Sequence, residues 1–305
     1  MTGLALFSPS GVLTSAAPLR RAARHLGGLD FAVSIDESAL ARYQRFAGDD
    51  AVRLAALHRI ARAAPDIAMA TRGGYGLTRL LDTLDWRLVA RSVERGTRWV
   101  GHSDFTVLQL ALLAHASGVT WAGPMACYDF GRTAEEHGEK AVAHVDEVTE
   151  GCFVEAMSGS LEAVGFRTEP GFDGLGVRGT LWGGNLCMIS SLLGTPHMPR
   201  IKGGVLFLED VNEHPYRIER ALLQLCQTGV IDAQKAVVLG AFSEWRKSPH
   251  DRGYGLKTAI DHLRSVTKTP ILTGLPFGHV PTKVTLPVGA RVTLLVEKRD
   301  VLIGW

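Results

Sequence analysis

The chain has 305 residues, enough for two cores rather than one small one, and its 46% apolar and 21% charged residues are the balance of an ordinary folded protein. The 33 Lys and Arg nearly offset 31 Asp and Glu, for a formal charge of +2; no basic block asks for nucleic acid or an anionic membrane surface. Cys127, Cys152, Cys187 and Cys226 show no C-x-x-C pair and no histidine at finger spacing. They are expected as small buried hydrophobes in a reducing compartment, not as a disulfide or zinc framework.

Met1 to Gly11 has no basic lead and only a short apolar run, so a first strand and turn are expected there instead of a signal peptide. No run is long enough to cross a bilayer, and a cytoplasmic location is expected. Leu4–Phe7 reads as a strand, and Pro18–Leu26 as a helix with proline in its first turn and Gly27-Gly28 at its end. Phe31–Ile35 is a second strand. Asp49 or Asp50 caps a helix carrying Leu54, Leu57 and Ile60 on one face, and Ile67–Ala70 is a third strand. A helical run is expected from Leu77 to Leu84, a strand over Arg98–Gly101, an apolar helix from about Asp104, and a strand at Val119–Trp121. This alternation argues for a parallel sheet covered by helices on both faces, with ligands at the carboxyl ends of its strands.

Composition changes after Met125. A helix is expected over about Lys140–Met157, then a linker through Ser158-Gly159-Ser160, with a second domain opening on a strand that breaks at a Gly183-Gly184 turn. Gly204–Asp210 is a buried strand delivering two acids at its end; a helix over Pro215–Thr228 and a strand over Ala236–Leu239 follow. Val284–Leu286 and Ala290–Leu295 are short alternating runs closing a mixed sheet. The division expected is 1–125 for an N-terminal α/β domain, 126–168 for a helical connection and linker, and 169–305 for a C-terminal domain.

Three strand ends carry candidate chemistry. Gly101-His102-Ser103 is a sharp strand-to-helix turn that lifts a serine clear of the backbone beside the first free amides of a helix; alternatively Ser103 or Asp104 simply caps that helix. Glu209 follows four apolar residues, as a half-buried carboxylate in need of a partner, whether catalytic or one of Arg217, Arg220 and Lys202 in an ion pair. His279 lies in a loop after Ile271-Leu272. Serine, acid and histidine are the parts of a nucleophile, an orienter and a base, although the serine turn lacks the second glycine of G-x-S-x-G. Arg72-Gly73-Gly74-Tyr75-Gly76 is neither a Walker A loop nor G-x-G-x-x-G; it is either an ordinary turn or a source of backbone amides for an oxyanion. Glu213-His214 and His137 lack zinc spacing, and neither a metal nor another cofactor is expected.

These segments together resemble the L,D-carboxypeptidases, the muramoyltetrapeptide carboxypeptidases, a family of serine peptidases. The resemblance lies in Arg72–Gly76 with Arg79-Leu80-Leu81, Gly101–Thr106, Gly179–Leu186, Leu208–Pro215 and Phe277-Gly278-His279, and runs from Arg45–Gly48 to Lys283–Pro287. It implies Ser103 as nucleophile, His279 as general base, Glu209 as the residue orienting His279, and an oxyanion hole of the Gly74 and Asp104 amides. It also implies a flavodoxin-like N-terminal domain, a smaller β-rich α/β C-terminal domain, a site between them, and a homodimer. The implied reaction releases D-alanine from the cytoplasmic murein tetrapeptide. Arg72 is a candidate for the D-Ala carboxylate, and Trp182 and Asn185 for the peptide. A relative of the same family that hydrolyses a peptidyl-nucleotide antibiotic, or a murein-peptide binding protein without catalysis, are the alternative readings.

Overall fold

The computed structural model describes residues 1–133 and 144–305. In chain order the elements are β1 (Thr2–Phe7), α1 (Ala17–Gly28), β2 (Phe31–Ile35), α2 (Asp50–Ala63), β3 (Ile67–Ala70), α3 (Trp86–Glu94), β4 (Arg98–Gly101), α4 (Thr106–His115) and β5 (Thr120–Ala122). After α5 (Glu147–Ser158) come β6 (Ala163–Arg167), β7 (Gly176–Asn185), α6 (Leu186–Leu192), β8 (Val205–Val211), α7 (Pro215–Gln227) and β9 (Ala236–Ser243). The chain closes with α8 (Leu256–Val266), β10 (Ile271–Thr273), β11 (Leu286–Val288), β12 (Arg291–Glu297) and β13 (Asp300–Gly304).

The first sheet runs β2-β1-β3-β4-β5-β11. Its first five strands are parallel and in the flavodoxin-like order 2-1-3-4-5, so the chain reverses its winding between β1 and β3, where such sheets bind ligands. β3 and the last three residues of β4 are fully apolar and buried, as parallel strands covered on both faces must be. Leu4 and Leu6 pack on one face with Leu19, Leu26 and Phe153 from α1 and α5. Ala5 and Phe7 pack on the other with Trp99 and with α4. That second core continues without a break into the C-terminal sheet through Leu181, Trp182, Phe207 and Phe277. Helix α4 touches β7 and α6 as well as its own sheet, which explains why it is apolar nearly all round.

The second sheet runs β10-β9-β8-β7-β12-β13-β6, parallel from β7 to β10 and antiparallel through the remainder. The antiparallel β12 alternates exposed and buried residues along its whole length, leaving one face to solvent. This sheet has seven strands and the first has six.

Several expectations are corrected. Leu77–Arg79 forms a single 3-10 turn, and the helix of this region is α3, capped by Asp85 Oδ1 accepting from Leu88 N at 2.9 Å. Helix α5 begins at Glu147 behind its Asp146 cap; residues 140–143 of the longer helix expected there, like His137, lie outside the described residues. Gly183-Gly184 is not a turn, because β7 runs straight through it. A Cβ at Gly183 would stand 1.9 Å from the Phe207 carbonyl oxygen, so glycine there lets β7 and β8 close. β6 lies in the stretch expected as linker, and β11, from beyond residue 169, pairs antiparallel with β5, so the expected chain boundaries do not separate the two sheets. Cys187 is exposed and the other three cysteines are partly buried, all four as free thiols.

Candidate active site

Three carboxyl ends of the first sheet converge at its switch point. Ser103 follows β4 with φ +63°, a left-handed conformation few non-glycine residues adopt. Such strain at a strand-to-helix turn holds a side chain out of the regular backbone path. The loop after β3 is pressed against it: a Cβ at Gly73 would sit 2.8 Å from both Cβ and Oγ of Ser103, so only glycine allows this approach. The loop after β1 joins them through Gly11 N, which donates to the Gly73 carbonyl at 3.1 Å.

The second sheet supplies the acid and the histidine. A bulge between Leu208 and Asp210 interrupts the pairing of β8 with β9. The extra residue breaks the alternation of side chains, so that the consecutive carboxylates of Glu209 and Asp210 reach the same amide. Asn185 Nδ2 donates to Glu209 Oε1 at 3.1 Å and to Asp210 Oδ1 at 2.9 Å. Glu209 is wholly buried and its other oxygen accepts from His279 Nδ1 at 2.8 Å. Arg217 bonds Glu213 instead, so the ion pairs weighed for Glu209 are not formed. The ring of His102, next to Ser103, lies 5.0 Å from the ring of His279.

Burial alone would lower the His279 pKa. The hydrogen bond and charge of Glu209, with Asp210 behind it, outweigh burial and the opposing charge of Lys283, and the net shift is upward. Because a carboxylate only accepts, Nδ1 carries the proton and Nε2 of the neutral ring is free to take another. His102 is pushed well below its ordinary value by burial, and further by the charges of His279 and Lys283. It stays neutral, donating from Nδ1 to the Gly123 carbonyl at 2.9 Å. Asp210 is raised to about 6, first by burial and then by the neighbouring Glu209 charge, against its bonds from Val211 N, Asn185 and Cys187 N.

The remaining candidates separate. Arg72 borders the glycine loop, donates to the Val12 carbonyl at 2.9 Å and has no ion-pair partner among the described residues. Trp182 is corrected: it is 1% exposed, with its indole N–H on Gln234 Oε1, and belongs to the core. Asn185 has its Oδ1 capping α6 through Met188 N while its Nδ2 donates to the two acids. An asparagine directly before an apolar helical run is itself a cap signal. His214 caps α7 and faces Asp251. No local pattern points to the buried Lys283–Asp129 ion pair behind the site, because its partners are 154 positions apart.

A strained serine turn on one sheet, next to a His102 ring 5.0 Å from a carboxylate-held histidine on another, is an arrangement found in serine hydrolases. Known proteins narrow this further. Residues 4–123 match the LD-carboxypeptidase N-terminal domain and residues 178–294 the LD-carboxypeptidase C-terminal domain. The murein tetrapeptide carboxypeptidase of Pseudomonas aeruginosa is 31% identical over 306 residues, covering 95% of this chain and 92% of its own. The crystal structure of muramoyltetrapeptide carboxypeptidase from Oxalobacter formigenes superposes with a TM-score of 0.87 at 40% identity, over 100% of this chain and 99% of that one. The microcin C7 self-immunity protein in complex with glutamyl sulfamoyl guanosine shares the fold, with a TM-score of 0.84 at 19% identity over 100% of this chain and 96% of that chain. The chain belongs to the LD-carboxypeptidase family and is a serine carboxypeptidase.

Proposed function

We propose that this enzyme removes the terminal D-alanine from the murein tetrapeptide L-Ala-γ-D-Glu-meso-diaminopimelate-D-Ala, leaving the tripeptide, in the cytoplasmic recycling of peptidoglycan and as a homodimer. The observation that carries the reading is the Glu209–His279 bond, which leaves the second ring nitrogen of a histidine 5.0 Å from the His102 ring free to accept a proton. In this mechanism His279 Nε2 takes the Ser103 hydroxyl proton as Oγ bonds to the diaminopimelyl carbonyl carbon. The Gly74 and Asp104 amides hold the oxyanion. The C–N bond then breaks, the proton passes from His279 to the leaving D-Ala nitrogen, and water, deprotonated by the same histidine, releases the tripeptide from Ser103.

Arg72 is proposed to receive the D-Ala carboxylate, since it stands beside the glycine loop with no carboxylate partner among the described residues. The peptidyl-nucleotide reading needs an aromatic face for a base, and the buried Trp182 offers none. Mass spectrometry of purified tetrapeptide after incubation tests the proposal: loss of one alanine residue is expected. Intact tetrapeptide with cleaved aminoacyl sulfamoyl nucleotide would transfer the enzyme to the other reading.

A further inference from the structure

We propose that the carboxylate of Asp104 is a positioning residue, tethering the glycine loop 72–77 to the serine turn so that the Gly74 amide stays directed at the reacting carbonyl. This rests on the proposed roles of Ser103 and of the Gly74 and Asp104 amides.

Asp104 sits where an acid would ordinarily cap the helix that follows, yet neither the 3-10 turn at Ser103–Phe105 nor α4 has a side-chain cap. Its carboxylate serves another segment. Oδ2 accepts from Leu77 N at 3.0 Å, across 27 positions of sequence. Leu77 opens the Leu77–Arg79 turn, whose own cap position is Gly76, a residue with no side chain to offer. Asp104 therefore caps that turn from outside.

Gly74 lies between two backbone pins, Gly73 held by Gly11 N and Leu77 by Asp104. Beneath it, the buried Arg53 donates to the Pro9 carbonyl at 3.0 Å and pairs with Asp50. Burial raises the Asp104 pKa, opposed by the Ser10 hydroxyl, the Leu77 N–H, the Arg53 charge and the Gly76 N–H, in that order. Asp104 is 1% exposed, so no solvent competes for the tether. Releasing the Leu77 pin leaves the Gly74 amide without a fixed direction. Arg72, proposed for the D-Ala carboxylate, keeps its own bond to the Val12 carbonyl, so the loss falls on the oxyanion and kcat declines while KM holds.

The test uses the full chain with Asp104→Ala and Asp104→Asn. It measures kcat and KM for D-alanine release, the thermal midpoint, and the rate at which a fluorophosphonate labels Ser103. Asp104→Ala is expected to lower kcat and the labelling rate by about 10²-fold, the usual cost of one oxyanion donor, with KM little changed. Asp104→Asn keeps a carbonyl oxygen for Leu77 N and is expected to recover at least about tenfold of that loss. A folded Asp104→Ala with wild-type kcat, an effect confined to KM, or an Asn variant as slow as the Ala variant overturns the proposal. Should the Ala variant not fold, a folded Asn variant slower than wild type by more than about tenfold overturns it as well. If the wild type labels but releases no D-alanine, the substrate reading fails and the labelling rates still decide this one. If the wild type does not label, both fall.

Discussion

Asn185 donates from its backbone nitrogen to Thr106 Oγ1 at 3.1 Å, while its side-chain amide donates to Glu209. Thr106 begins the helix behind Ser103, so a single residue of the second sheet links the acid to the serine turn. Thr106 is fully buried, and Thr106→Val keeps its shape while leaving the Asn185 N–H without an acceptor. A loss of about 1–3 kcal/mol in urea unfolding is expected, with a fall in kcat as the two halves of the site lose register. Unchanged stability would mean that the sheets are registered by apolar packing alone.

The upward shift of His279 predicts the pH profile. As the proposed general base, His279 must be neutral to act, so kcat/KM should fall as pH drops through a value above the ordinary histidine pKa of 6.5. Lys283 opposes that shift, and Lys283→Met should move the acid limb further up. A limb below 6.5, or one that Lys283→Met lowers, contradicts the electrostatics described here.

Lys283 and Asp129 are both buried and satisfy each other's charge. Removing one partner strands the other, so Lys283→Met alone should cost about 3–5 kcal/mol, while pairing it with Asp129→Asn should recover a large part. Chemical unfolding of both single variants and the double checks this; a double-variant loss equal to the sum of the two single losses would show that the pair is not coupled.

The halves also meet at His115, stacked on Trp86, with its Nε2 2.9 Å from His197 Nδ1; His197 in turn faces Asp82. Burial, and then the charge of His197, depress the His115 pKa. Below 6.5 the unfolded chain therefore binds a proton that the folded chain resists, and stability falls as pH drops through that value toward the depressed one. His115→Gln should flatten this part of the stability curve; an unaltered slope would remove His115 as its source.

The parallel strands of the first sheet were legible because each is a short apolar run bounded by Gly, Pro or a cap. The serine turn and the acid at the end of β8 were legible for the same reason: strand ends in wound sheets carry the chemistry. The paths of β7 and β11 were not. Gly183-Gly184 looks like a turn in sequence, and only the close approach of the Phe207 carbonyl shows why a strand needs glycine there. β11 joins the first sheet through pairing between residues such as Leu286 and Ala122, a contact no local pattern encodes. Trp182 beside a Gly-Gly pair suggested a ligand platform, but its indole bond to Gln234 is a tertiary fact. The partnership of Glu209 with His279 spans 70 positions and follows from the resemblance, not from spacing.

The central claim is that Ser103, activated by His279 and Glu209, releases D-alanine from murein tetrapeptide. Following D-alanine release by wild type beside Ser103→Ala, with thermal midpoints to show that both are folded, tests it most directly. The account predicts release by wild type and a loss of about 10⁴- to 10⁶-fold in the variant. A folded Ser103→Ala enzyme that still releases D-alanine at the wild-type rate would contradict it.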